Sequence, residues 1–323
     1  MPFNSLISRT DAAALIPEDA STEILKSLPE TSIVMQLARR LTDMSVKQRR
    51  LPVMNALATA YFVSGDNGLK QTSEVNWTNK YIEAEELAVI VPIPEAVLDD
   101  SAFDIWAEVQ PSLVEAFGIA IDQAVLYGTN IPASWTTNLG AAGLVALSTA
   151  AGNTVSAAAY TDLYEALLGE TAGGTAGSLG QLELDGYVAT GHVADTSMRR
   201  KLRNVRDADG QPIFKANMQD TSRFDLDGSP IYFPTNGAIS AASALVVSGQ
   251  WNQLVYALRQ DITYKVLDQA VIQDGAGNTI YNLAQQDMVA LRAVMRLGFA
   301  LPNPINRMQP TAASRAPFSV LTA

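Results

Sequence analysis

Apolar and polar residues change period several times along this chain, and the changes divide it into segments. Residues 51–91 carry strand patterning in two runs, LPVMNALATAYFV and EVNWTNKYIEAEELAVIV, around the tip SGDNGLKQTS with its Asp66-Asn67-Gly68 turn. This predicts a long β-hairpin whose return strand would span roughly 50 Å. Alternation through Trp77–Glu83 gives that strand one apolar and one polar face. Leu87–Val91 is continuously apolar and is expected inside a core. Pro92 and Pro94 are expected to end its pairing. An isolated two-stranded hairpin is marginal in water, so the tip half must rest on something else.

The period then becomes helical. Ser101 with Asp104 three residues on is a helix-start pattern, and Trp106, Val109, Leu113, Phe117, Ile121 and Val125 recur at spacings of three and four. One helix is predicted over Phe103–Tyr127, closed by Gly128, with a kink or late start at Pro111. Short helices are predicted at Ser21–Leu28, at Ser32–Leu41 with Thr31 or Ser32 as cap, at Thr161–Leu168 stopped by Gly169, and at Ala194–Val205. Strands are predicted at Tyr187–Thr190, in the PIFK and PIYF stretches after two Asp-Gly turns, and at Ser243–Ser248, Val255–Arg259, Ile262–Ile272 and Met288–Leu301. No fixed-period repeat is visible.

Composition narrows the class. The 323 residues are 48% hydrophobic and 17% charged, so the chain buries a large core. No run reaches the roughly 18 apolar residues of a membrane span, and the first 20 residues lack a secretory pattern. With no cysteine there are no disulfides or thiolate sites. The net charge of −11 disfavours broad nucleic-acid binding. Basic residues nonetheless cluster at Arg39, Arg40, Lys47, Arg49 and Arg50, and again at Arg199–Arg206. No acid follows Asp287.

Candidate chemistry is sparse. His192 is the single histidine and is expected at the surface or at a helix start. The Gly173–Gly180 loop lacks the Gly-Lys-Ser/Thr ending of a phosphate cradle. Glu83, Glu85, Glu86, Glu95, Asp99 and Asp100 supply carboxylates for a hydrolase, but nothing singles out two of them. No cofactor or metal motif emerges. What stands out is shape: an arm, an overlong hairpin and a spine helix, in a subunit that completes itself through neighbours.

The order of these elements resembles the major capsid proteins of tailed bacteriophages with the Hong Kong 97 type fold. The stretches that carry the resemblance are EELAVIVPIPEAVLDDSAFDIWAEVQPSLVEAFGIAIDQAVLYG, MRRKLRNVRDADGQPIFK, LDGSPIYF, SALVVSGQWNQLVYALRQDITYKVLDQA and MVALRAVMRLGFALPNP. The resemblance implies an α+β chain with an N-terminal arm (1–49), an extended hairpin loop (50–90), a peripheral domain with the spine helix (91–135), an axial α/β domain (136–260) and closing peripheral strands with a C-terminal segment (261–323). It also implies a non-enzymatic shell protein of the virion, made in the bacterial cytoplasm and built into hexamers and pentamers around DNA that it does not read. A portal at one vertex and a decoration protein are implied partners, with no membrane. A separate scaffold protein is expected because the arm begins close to Met1.

Under this reading the inter-subunit contacts are expected at Arg39, Arg40, Arg49, Arg50, Lys70, Trp77, Lys80, Glu83, Glu85, Glu86, Asp99 and Asp100, with the arginines meeting the carboxylates of a neighbour. Some members of the family crosslink Lys to Asn through a Glu. Lys70 or Lys80 and Asn282 or Asn303 would serve here, but Met288–Arg296 contains no Glu. An encapsulin-type compartment shell is the alternative within the fold, and a hydrolase the alternative outside it.

Overall fold

The computed structural model describes residues 31–63, 68–101, 104–170, 174–206, 211 and 224–323. The expected helix at 21–28, the hairpin tip at 64–67 and the PIFK strand lie outside them. In chain order the elements begin with α1 (Ile33–Leu37), β1 (Arg39–Arg40), β2 (Gln48–Ala56), β3 (Asn76–Glu83), β4 (Glu85–Pro94), α2 (Glu95–Asp100) and α3 (Ile105–Tyr127). Next come α4 (Ala133–Leu139), α5 (Gly143–Ala151), β5 (Thr154–Ser156), α6 (Leu163–Leu168), α7 (Ser178–Leu184), β6 (Gly191–Ala194), α8 (Thr196–Arg203), β7 (Phe224–Leu226) and β8 (Ser229–Tyr232). The chain closes with β9 (Val246–Gly249), β10 (Val255–Leu267), β11 (Val271–Gln273), β12 (Thr279–Asn282), β13 (Met288–Ala300) and β14 (Phe318–Thr322).

The spine helix α3 follows its sequence pattern. Asp104, not Ser101, is its cap, accepting from the backbone N–H groups of Trp106 and Ala107. The helix runs through Pro111 without a break, about 35 Å in all. Gly128 closes it at φ 70°, where a Cβ would collide with Ala142 and Gly143, so the helix end and α5 touch backbone to backbone. Leu113, Phe117, Ile121 and Val125 pack on Leu291, Ala293, Met295 and Leu297 of β13. That strand lies inside a four-stranded sheet of order β1-β10-β13-β4.

The second sheet has six strands in the order β5-β14-β9-β6-β8-β7. One of its faces joins the spine core through Val193, Val247, Phe318 and Val320. The other carries a separate core with Ala166 and Leu167 of α6 and Met198 and Leu202 of α8.

Several expectations are corrected. The return strand of the hairpin is not one strand. It changes partner at Ala84, so β3 pairs with β2 while β4 pairs with β13. Pro92 and Pro94 do not end the ladder: they lie opposite Ala290 and Met288. Because β4 is the edge strand, a proline there can direct its missing N–H to solvent. For the same reason Leu87–Val91 is half buried rather than enclosed, with Ala88 and Ile90 outward. Residues 255–259 and 262–267 form one strand, β10, whose pairing with β13 shifts register between Leu258 and Thr263. The strand expected at Tyr187–Thr190 lies slightly later, as β6.

His192 is the clearest reversal. It is fully buried in β6, with Nδ1 2.8 Å from Ser248 Oγ and Nε2 3.2 Å from the Leu226 carbonyl. Burial holds its pKa down to about 4, so it is a neutral core side chain. Its position in an apolar strand, GHVA, was the available signal.

Candidate assembly interface

The hairpin β2–β3 is fastened most firmly at its base. Ile82 is fully buried, and the Glu83 carbonyl lies against Gly298 of β13 so closely that a Cβ there would clash. Helix α4 clamps the same point: Trp135 Nε1 donates to the Glu83 carbonyl at 2.9 Å and Asn138 Nδ2 to the Tyr81 carbonyl at 2.6 Å. Trp135 is in turn held edge-on to Phe299. Beyond this base the chain leaves the core. Residues 58–63 and 68–74 are exposed throughout, including Phe62 with its full surface and Leu69 at 89%. Trp77 is 65% exposed. Ile305 N–H bonds to the Met54 carbonyl and Arg307 to the Ala58 carbonyl, so the C-terminal segment braces the proximal half of the outgoing side.

The arm joins the sheet through β1, and at α1 a buried carboxylate ties it to the spine. Asp122 on the inner face of α3 accepts from Ser32 Oγ at 2.5 Å and from the Ile33 and Val34 N–H groups at 3.1 Å each. The spine therefore satisfies two of the free N–H groups at the start of α1. Burial raises the Asp122 pKa to about 6, against the lowering effect of those three donors.

The expected contact residues divide into groups. Arg39 and Arg40 are exposed on β1, with Arg40 3.0 Å from Asp43. Arg49 is turned inward, donating to the Thr42 carbonyl at 2.6 Å and the Asp43 carbonyl at 2.8 Å. Arg50 is exposed opposite Tyr81. Lys70 and Trp77 are exposed on the hairpin, and Lys80 is half buried opposite Leu51. Three of the carboxylates already have partners within the chain. Glu83 accepts from Gln48 at 2.8 Å, and Glu85 accepts from Ser134 at 2.7 Å with Lys47 3.6 Å away. Glu86 accepts from Arg296 Nε and Nη2 at 2.9 and 2.5 Å. Asp99 and Asp100 stand exposed on α2. Sequence reasoning named neither Lys47 nor Arg296 as a partner, because strand register brings them to these acids. It also passed over Phe62 and Leu69, whose signal was two apolar residues in a stretch with no core behind it.

Asn303 is engaged internally. Its Oδ1 accepts from Tyr187 at 3.0 Å and from Arg315 at 3.1 Å, and its Nδ2 donates to the Arg315 carbonyl. It braces the C-terminal segment.

A folded core bearing an anchored arm and a projecting hairpin that exposes Phe62, Leu69 and Trp77 defines a class: a subunit built to tile with copies of itself. The model of the phage capsid family matches residues 12–306, and the chain belongs to that family. A relative named as the major capsid protein of Staphylococcus phage 80alpha is 28% identical over 307 residues, covering 92% of this chain and 84% of the relative. A solved structure from Microbacterium phage Oxtober96 superposes with a TM-score of 0.82 at 32% identity, over 98% of this chain and 99% of that one. Another, from Mycobacterium phage Adephagia, gives 0.79 at 32% identity over 98% of each chain. The fold is thus the Hong Kong 97 type, and the chain is a structural protein of the phage head shell.

Proposed function

We propose that the subunit assembles through its hairpin, as hexamers and pentamers of a closed icosahedral head around double-stranded DNA. The observation that carries this reading is the hairpin itself. Trp77 on the two-stranded ribbon, and Phe62 and Leu69 in the stretches beyond its strands, expose their apolar surface on a projection that cannot stabilise itself in water. Laid across an adjacent subunit, the same residues become a buried interface core. In this reading the six-stranded sheet is the axial domain and the four-stranded sheet with the spine is the peripheral domain.

The shell contains DNA without reading it. A net charge of −11 keeps the wall from gripping phosphates that must slide during packaging. A portal at one vertex, a separate scaffold protein and a decoration protein complete the particle, which forms in the bacterial cytoplasm. Electron microscopy of the purified chain tests the shell, and closed particles are expected. Deleting residues 64–70 should leave a folded, soluble subunit and remove the particles. If the deletion unfolds the subunit, or if particles persist, the hairpin is not the assembly element.

A further inference from the structure

Two arginines lie four residues apart on the outward face of β13, and the register gives them opposite surroundings. Arg296 stands across from Glu86 of β4 and is bonded to it through two nitrogens. Arg292 stands across from Ile90, which is 41% exposed and offers no acceptor. On its other side Arg292 faces Lys265 of β10 directly. Residues opposite each other in an antiparallel pair share a face, and like charges so placed oppose folding. No salt bridge joins Lys265 or Arg292 to any described residue, and Arg292 Nε is buried without a hydrogen-bond partner among them. The sequence offers no local relief, since residues 288–323 contain no acid.

The complement lies at the same end of the sheet. Strand β4 leads straight from Ile90 through Pro94 into α2, whose sequence is EAVLDD. None of its residues is buried, and Val97 is exposed beside Glu95, Asp99 and Asp100. No salt bridge joins these three acids to a described residue. One region of one subunit therefore presents an unmatched basic pair beside an apolar Ile90, and an unmatched acidic helix beside an apolar Val97.

We propose that Lys265 and Arg292 form a seat for helix α2 of a second copy of this chain, with Asp99 and Asp100 facing the cations and Val97 against Ile90. The carboxylates remove the repulsion between the two cations, so a pairing that is unfavourable in the single subunit becomes favourable in the assembly. The match also selects partners, because any other approach leaves like charges together. This deepens the shell reading and rests on it.

The test compares the subunit concentration needed for half assembly, read by sedimentation, with the melting midpoint of the unassembled subunit. Replacing the pair by Lys265→Gln with Arg292→Gln should raise that concentration about tenfold. The melting midpoint should stay the same or rise, because repulsion is relieved; a merely structural role would lower it. The reversals Asp99→Lys with Asp100→Lys, and Lys265→Glu with Arg292→Glu, should each impair assembly, and combining all four in one chain should restore it. Unchanged assembly in the Gln variant overturns the proposal. So does a four-residue swap that assembles no better than its halves, which would point to another occupant of the seat. Shells from the wild-type chain with either negative result leave the shell reading standing, whereas no shells from the wild type would sink both.

Discussion

Trp251 and Trp77 mark the two extremes of this molecule. Trp251 follows β9, is sealed in the core, meets Phe318 edge-on at 5.1 Å and donates to the Gly191 carbonyl at 2.9 Å. Trp77 sits on β3 with 65% of its surface in solvent. Trp251 lies in the short helical turn between β9 and β10 and Trp77 within a strand, yet the deciding difference is that one has its partners within the chain and the other does not. The six-stranded sheet has strands β6 and β9 buried at every position, with helices and the spine core around them. In the hairpin, residues 58–63 and 68–74 are exposed throughout, beyond the last brace from the C-terminal segment at Ala58. The lesson is that apolar β pattern reports a need for burial and is silent on which chain supplies it.

The largest test of that contrast is a pair of truncations. Trp251→Ala should cost about 3–5 kcal/mol of folding stability, since it opens a cavity and strands the Gly191 carbonyl. Trp77→Ala should change stability by less than about 0.5 kcal/mol and reduce particle yield instead. Urea denaturation of the unassembled subunit and sedimentation of the assembled one separate the two effects. Equal losses of stability would mean that the hairpin is part of its own subunit's core.

Acidity sharpens the comparison through two buried groups of opposite sign. His192 titrates near 4 in the folded chain against an ordinary 6.5, so the folded state binds fewer protons than the unfolded one between those values. Its contribution is present above about pH 6.5 and is lost as pH falls toward 4, on the order of 3 kcal/mol in all. Asp122 behaves in reverse. With its pKa raised from 3.8 to about 6, the folded state holds the extra proton, so its contribution is greatest at low pH and falls as pH rises through 6. His192→Gln should flatten the loss of stability on acidification between pH 6.5 and 4, and Asp122→Asn should steepen it. Melting midpoints across that range check both, and identical pH profiles in all three proteins would refute the assignment.

The smallest expected effect is at the hairpin base. Arg50 is exposed, whereas Arg49 holds two carbonyls of its own chain. Arg50→Glu should leave folding within about 1 kcal/mol of wild type while raising the concentration needed for assembly, more at low salt than at high. Assembly unchanged at both salt levels removes Arg50 from the interface. Arg49→Glu should show a folding defect as well, because the Thr42 and Asp43 carbonyls lose their donor.

The sequence by itself determined the elements whose rules are local. The helical spacing of Leu113, Phe117, Ile121 and Val125, the stop at Gly128, a cap at Thr31 or Ser32 (Ser32 in the structure) and the Asp227-Gly228 turn all depend on residues a few positions apart. The order of those elements also sufficed to suggest the fold that the solved relatives share. What only the tertiary structure decided depends on residues far apart in sequence. That β4 is an edge strand explains why Pro92 and Pro94 are tolerated within it. That Ser248 and the Leu226 carbonyl converge on His192 explains why a lone histidine lies in the core. The expected pairing of basic and acidic residues was legible as composition, but strand register gave Glu86 to Arg296 and left Arg292 facing Lys265. Periodicity states which face of a strand is apolar, and only the assembled sheet states what lies opposite each side chain, because that neighbour is set by pairing between segments that are distant in the chain.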